Sequence, residues 1–453
     1  MVKIAPLSGF PEWLPRERLV ESHFLDVIAR TFELHGFANI ETRAVEPVER
    51  LLGKGGDTDK EIYGVTRLAG RVDGRGDAGA DGEAELGLHF DLTVPFARYT
   101  LEHAGKLTFP FRRYQIQKVW RGERPQDGRF REFIQADIDI IDAGELPFHY
   151  EVELPLVLAD VFGKLPVGDF RIQVNNRRIP EGFYRGLGLE DVNGTLRIVD
   201  KLDKVGPAAV TEMLTEAGCS AAQAQACLAL AQISAADSSF VDRVRALGVS
   251  DPVLEEGLAQ LSAVVDAAAE HAPGLLVADL KVARGLDYYT GTVYETQLVG
   301  HESYGSVCSG GRYDALASDG KVTYPGVGIS IGVSRLLARL LPGLDASRST
   351  PTAVLVSLAA EEDRPEAMRI AAALRGRGIP AEVAPSAAKF GKQIRFADRR
   401  DIPFVWFPAR TEADGNRTAD QVKDIRSGEQ VDADRASWMP PEADRLPSVV
   451  TRS

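Results

Sequence analysis

The chain has 453 residues, is 44% hydrophobic and 26% charged, and carries a net charge of −13. That size and balance suit a large enzyme of two or three domains, each with its own core, and argue against non-specific nucleic-acid binding by the whole surface. No apolar run reaches the roughly 18 to 20 residues needed to cross a bilayer. Lys3, Pro6 and Gly9 stand where a signal peptide would carry its basic start and apolar stretch, so secretion is not expected. Cys219, Cys227 and Cys308 are widely spaced and form no CxxC, which fits a reducing cytoplasm and no zinc site.

In chain order, residues 16–35 predict an amphipathic helix, with Val20, Phe24, Val27, Ile28 and Thr31 at helical spacing. Residues 71–87 hold five Gly and five Asp/Glu and read as a solvated hairpin or loop. Segments near 88–99, 114–121, 131–142, 169–175 and 292–298 alternate or carry β-branched and aromatic residues, which predicts a largely antiparallel sheet. Residues 190–275 are rich in Ala and Leu, with Gly218 and Gly248 as helix stops, and predict a helical insertion in the first domain. Residues 341–350 read as a linker. Beyond it, AVLVSL at 353–358, a helix near 364–377, then AEVAP and PFVWF predict a small α/β domain over 351–433. Residues 434–453, rich in proline and charge, read as a poorly ordered tail.

The densest chemistry lies in Arg121–Gln135. The run Tyr114–Arg121 places Gln115, Gln117, Val119 and Arg121 on one strand face, and Phe133, Gln135, Asp137 and Asp139 share a face downstream. Pro125, Gln126, Asp127 and Gly128 make the turn between them. Residues 112–131 hold seven Lys/Arg against two acids, and 389–400 hold five against one. Such a hairpin can hold a polyphosphate, stack a base and bind a small cation. In LHFDLTVPFAR, Asp91 and Thr93 precede Pro95 and read equally as a ligand pair or as the N-cap of a following helix. The segment ARGLDYYTG combines Arg284, a glycine turn, a carboxylate, Tyr288 and Tyr289; core packing alone would not ask for that arginine. Ser309–Gly310–Gly311 offers a glycine pair where backbone can approach a ligand. Gly328–Leu336 ends a strand at Gly332 and starts a helix with Arg335 in its first turn, a place suited to phosphate. Gly53–Gly56 is no P-loop, and the seven histidines show no metal spacing.

Taken together these segments resemble the class II aminoacyl-tRNA synthetases. The hairpin, with GERPQDGRFREFIQADIDI, resembles their motif 2, and GVGISIGVSRLLARL their motif 3. ARGLDYYTGTVYE and SGGRYDAL are similar to the two signature segments of the histidyl-tRNA synthetases, and LHFDLTVPFARY fits the variant with Asp-Leu-Thr. KFGKQIRFADRRDIPFVWF and VKDIRSGEQ resemble that family's anticodon-binding domain.

The resemblance implies an α+β catalytic domain over 1–340, built on a mostly antiparallel sheet, followed by a small α/β anticodon-binding domain. It implies activation of L-histidine with ATP and Mg²⁺ to histidyl-adenylate, then transfer to the terminal adenosine of tRNA(His). Arg121 and Arg335 are expected on the α- and γ-phosphates, with Arg129 and Glu123 near the phosphates and adenine and Phe133 stacked on adenine. Gln135, Asp91 and Thr93, with Leu92 between them, are expected at the α-amino group. Asp139 and Tyr289, with Tyr288 close by, would read the imidazole. Arg284 would be the catalytic cation on the α-phosphate. A homodimer built on residues 36–48, anchored by Pro47, is also implied, as is a cytoplasmic location without membrane attachment. Ser334 departs from the acid usual in motif 3. Two alternatives stay open. One is a non-catalytic, histidine-binding regulatory subunit of ATP phosphoribosyltransferase, a type that usually lacks the C-terminal domain and the ATP-binding arginines. The other is an RNA-binding protein that acts through residues 389–400.

Overall fold

The computed structural model describes residues 4–52, 61–66, 85–282, 288–410 and 418–452. Two compact units emerge, one of Met1–Pro11 with Leu25–Arg339, the other of Glu12–Phe24 with Leu340–Ser453. The helix Pro15–Leu34 opens on a proline, whose missing N–H costs nothing in a first turn. Val20, Phe24, Ile28 and Phe32 repeat every four residues along it and are all buried.

The first unit is organised by a nine-stranded sheet. Its order is Ala38–Asn39, Phe111–Trp120, Glu132–Ile141, Thr323–Gly332, Cys308–Ser318, Thr292–Leu298, Phe170–Asn176, Leu276–Asp279 and Ser234–Ala235. All neighbours pair antiparallel except Ala38–Asn39 on Phe111–Trp120 and Phe170–Asn176 on Leu276–Asp279, which are parallel. The expected hairpin forms the second and third strands of this sheet, in a register that sets Gln115 opposite Asp137 and Gln117 opposite Gln135. Helices Val192–Val199, Leu202–Glu216, Ala221–Ala231, Phe240–Arg245 and Pro252–His271 occupy the stretch expected to be a helical insertion.

Three expectations are corrected. Residues 88–99 are not mainly a strand: the strand stops at Leu88, and Thr93–His103 is a helix. Asp91 accepts from the Val94 amide at 3.1 Å, so a capping carboxylate turns an apolar, aromatic run into a helix start. The short Leu86–Leu88 strand belongs to a separate three-stranded sheet with Val45–Pro47 and Gly64–Val65. The solvated stretch expected at 71–87 falls, up to residue 84, outside the described residues.

The second unit carries a five-stranded sheet ordered Ala381–Val383, Val354–Val356, Phe404–Phe407, Gln421–Asp424 and Gln430–Asp432, its first three strands parallel. Helices Arg364–Gly376 and Phe390–Asp398 make the crossovers. Here the linker and tail expectations fail. Leu344–Ala346, inside the expected linker, pairs antiparallel with Val449–Thr451, inside the expected tail. Buried Arg348 donates to the carbonyls of Asp444 and Arg445, and Trp438 packs edge-on against Phe404 and Trp406 at 5.3 and 5.6 Å. Partners far apart in sequence order both segments, which composition does not reveal.

Candidate active site

A cavity of about 760 Å³ opens over the centre of the large sheet. Its floor follows from strand register. Gln115, Asp137, Ser330, Ser309 and Glu295 lie directly opposite one another across five strands, so they share one face as a polar row. Flanking glycines keep that face low. A Cβ on Gly328 would collide with the Asp139 carboxylate, and one on Gly311 would meet the Tyr289 ring at 2.8 Å. The Gly310–Gly311 pair thus makes room for a tyrosine and for the strand beneath it, a different use from the expected approach to a ligand.

Of the residues singled out in the sequence, Arg121, Glu123, Arg129, Phe133 and Arg335 line the cavity. The Arg121 guanidinium lies 5.2 Å from the Phe133 ring centre, and its Nε donates to the Phe90 carbonyl at 3.0 Å. Arg129 pairs loosely with Glu123 at 3.6 Å. The rest of the basic stretch is spent elsewhere: Arg112 pairs with Glu153, Lys118 with Glu132, and Arg113 is wholly buried. The hairpin therefore turns two arginines, Arg121 and Arg129, to the cavity, fewer than its composition suggests.

Asp91, Thr93, Gln135, Tyr288 and Tyr289 line the cavity as well. Asp91 serves both readings at once: one oxygen caps the helix, and the other accepts from the Tyr288 hydroxyl at 3.0 Å. Burial raises its pKa, against the Val94 amide, Tyr288, Arg121 and Arg113, which all favour the anion. Gln135 Nε2 donates to Ser330 Oγ at 2.8 Å, while its Oε1 has no partner among the described residues. Tyr288 and Tyr289 meet edge to face at 4.9 Å.

Asp139 and Leu92 sit elsewhere than expected. Asp139 shares the face of Asp137 one row along but is not among the lining residues, being paired with Arg113 at 2.5 Å and accepting from the Tyr313 hydroxyl at 2.7 Å. Leu92 is a core side chain whose carbonyl accepts from Arg113 at 3.3 Å. Asp137, which the sequence left without a role, lines the cavity instead. It is 2% exposed, and its Oδ1 lacks a partner among the described residues. Burial chiefly pushes its pKa up to about 7; Asp139 and Asp91 add to this, and Arg113 and Ser330 oppose it. Burial likewise raises Asp139, to about 6, against Arg113 and Tyr313. Arg284 lies outside the described residues.

A model of the histidyl-tRNA synthetase family matches residues 9–336, and one of the anticodon-binding domain matches 352–439. The chain is 61% identical to the histidine–tRNA ligase of Micrococcus luteus, over 99% of both chains. It belongs to the histidyl-tRNA synthetase family. The ligase of Cutibacterium acnes is 58% identical over 99% of both chains. The crystal structure of histidyl-tRNA synthetase from Nostoc sp. PCC 7120 superposes with a TM-score of 0.79 at 34% identity, covering 96% of this chain and 97% of that one. A solved chain from Bacillus halodurans, titled as an ATP phosphoribosyltransferase regulatory subunit/histidyl-tRNA synthetase, matches with a TM-score of 0.70 at 18% identity, a likeness of fold alone.

Membership in a family of ligases gives the cavity its meaning, and several wall residues escaped the sequence reading. Arg177, just after strand Phe170–Asn176, and Asn193, Arg197 and Lys201, from the start of the helical insertion, also line it. The last three are four residues apart, a spacing that marks one helix face and was a legible signal. Ser334, where motif 3 usually has an acid, is buried and accepts from the Ile134 amide at 2.9 Å, tying motif 3 to the hairpin strand. His89, beside Asp91 in sequence, is a core residue stacked on Trp120, and burial lowers its pKa.

Proposed function

We propose that the chain condenses L-histidine with ATP to histidyl-adenylate and pyrophosphate, then transfers the histidyl group to the 3′-terminal adenosine of tRNA(His). One observation carries the reading: a single cavity is lined both by arginines with an aromatic ring and by carboxylate, amide and phenol groups. The first suits a nucleotide triphosphate, the second an amino acid with a polar ring. Arg121, Arg129 and Arg335 hold the phosphates, Phe133 stacks adenine, and Glu123 faces the nucleotide. Asp91, Thr93 and Gln135 take the α-ammonium. Tyr289 reads the imidazole together with a carboxylate, and Asp137, which lines the cavity, fits that part better than Asp139, whose two oxygens are taken by Arg113 and Tyr313. Arg284 stabilises charge on the α-phosphate.

The carboxylate oxygen of histidine attacks the α-phosphorus, and the bond to the bridging oxygen breaks to release pyrophosphate. The ribose 3′-hydroxyl then attacks the activated carbonyl and AMP leaves. Positioning and preorganised charge carry both steps. Among the described residues no three His, Cys, Asp or Glu side chains converge to hold a metal, and Mg²⁺ is read as part of the substrate, carried on the ATP phosphates. No helix among the described residues is long and apolar enough to cross a membrane. The three unpaired cysteines support a reducing, cytoplasmic setting. Motif resemblance at residues 36–48 supports a homodimer.

ATP–pyrophosphate exchange with each of the twenty amino acids tests the reading. Exchange is expected with histidine alone. Histidine binding without exchange would favour the regulatory-subunit alternative. Arg284→Ala is expected to cut exchange by about two to three orders of magnitude and to leave histidine affinity much less changed.

A further inference from the structure

Tyr304 belongs to none of the motifs, yet it touches two of them. It ends a single 3₁₀ turn, Glu302–Tyr304, between the strands Thr292–Leu298 and Cys308–Ser318. Its hydroxyl donates to the Arg335 carbonyl at 2.8 Å, and its ring lies 4.5 Å from the Arg335 guanidinium. That guanidinium in turn donates to the Tyr304 carbonyl and, through Nε, to the Ser306 carbonyl at 2.8 Å. On its other side Tyr304 meets the hairpin tip: a Cβ on Gly128 would collide with the tyrosine hydroxyl and ring. Gly128 has φ +64°, so it is glycine both for its backbone and for this contact.

The contact has electrostatic work to do. Burial lowers the pKa of Arg335 and the neighbouring Arg129 lowers it further, so the two cations repel across the site. Glu123 and Asp127 of the same tip offset part of that repulsion, and the Tyr304 contacts add a neutral tie to both sides. We propose that Tyr304 is a positioning residue that keeps the hairpin tip and Arg335 at the separation a bound triphosphate spans. This rests on the reading of Arg129 and Arg335 as phosphate ligands. The tyrosine itself touches no reacting atom; it acts by preorganising two residues that do.

The test measures KM for ATP and KM for histidine separately, by pyrophosphate exchange with the full-length chain. Tyr304→Leu, which removes ring and hydroxyl, is expected to raise the ATP KM about tenfold or more and leave the histidine KM within about twofold. Tyr304→Phe keeps the ring under the guanidinium and is expected to raise it only about two- to fivefold. Gly128→Ala, which drives the tip off the hydroxyl, should reproduce the ATP-selective defect and serves if Tyr304→Leu does not fold. An unmoved ATP KM in these variants, or both KM values rising in parallel, overturns the proposal. Arg335→Ala separates the two levels. If it leaves the ATP KM unchanged, the phosphate reading falls and the proposal with it. If it raises that KM and the Tyr304 variants do not, only the role of Tyr304 falls.

Discussion

At the scale of single residues, the buried carboxylates decide how the site behaves. Asp137 lines the cavity, has an oxygen without a partner among the described residues, and has a pKa raised to about 7 from an ordinary carboxylate value. In the unfolded chain it ionises near pH 4, so between there and pH 7 the folded state holds the extra proton. Its contribution to stability is full below pH 4 and is lost as the pH climbs through 7; Asp139, raised to about 6, works in the same direction. Asp137→Asn removes that titration. Urea unfolding without ligand should show the variant gaining on the parent between about pH 4 and 7. A gap that stays constant with pH would mean that the carboxyl is already ionised in the folded protein. The same variant should weaken histidine use by about 10- to 100-fold, the loss of a hydrogen bond to a charged group. The sequence showed two acids two residues apart on one strand face, and the family resemblance set Asp139, not Asp137, on the imidazole. Arg113 settled the ranking by burying itself against Asp139, and nothing in the period of a strand foretells which of several arginines will turn inward.

Among the elements, the antiparallel strands and their glycines matter most. The hairpin was legible because alternation, a Pro–Gln–Asp–Gly turn and strand length all agreed. The segment 88–99 was misread because aromatic and β-branched residues favour a strand, whereas one capping carboxylate and a proline in the first turn favour a helix. Gly328 was legible only as part of a motif; its purpose is the space it leaves for Asp139. Gly328→Ala is expected to push Asp139 off Arg113 and Tyr313 and to cost about 3–5 kcal/mol, the range for breaking a buried ion pair. Gly105→Ala, where nothing lies within 4 Å of the added carbon, is the control and should move thermal stability by less than about 0.5 kcal/mol. Equal effects of the two changes would refute this account of the glycine row.

At the scale of the whole molecule, the C-terminal tail belongs to the core of its unit. Trp438 covers Phe404 and Trp406, and Val449–Thr451 completes a two-stranded sheet with Leu344–Ala346. Trp438→Ala is expected to cost that unit about 3–5 kcal/mol and to open residues 434–452 to proteases. A tail cleaved equally fast in both proteins would restore the expectation of disorder. Composition misled here because prolines and charges were weighed without their distant partners. Arg348, for example, satisfies carbonyls almost a hundred residues away in the chain.

The sequence alone determined the family, the order of motifs along the chain and many of the residues that line the cavity, because these follow from local pattern and from motifs read in order. Only the tertiary structure decided that Asp137 and not Asp139 lines the cavity, that Asp91 both caps a helix and meets Tyr288, and that Tyr304 joins the hairpin tip to Arg335. Each of those depends on which strands become neighbours and in what register, and on which charges find a buried partner. Such contacts link residues about 25 to 200 positions apart, beyond the reach of any periodicity in the chain.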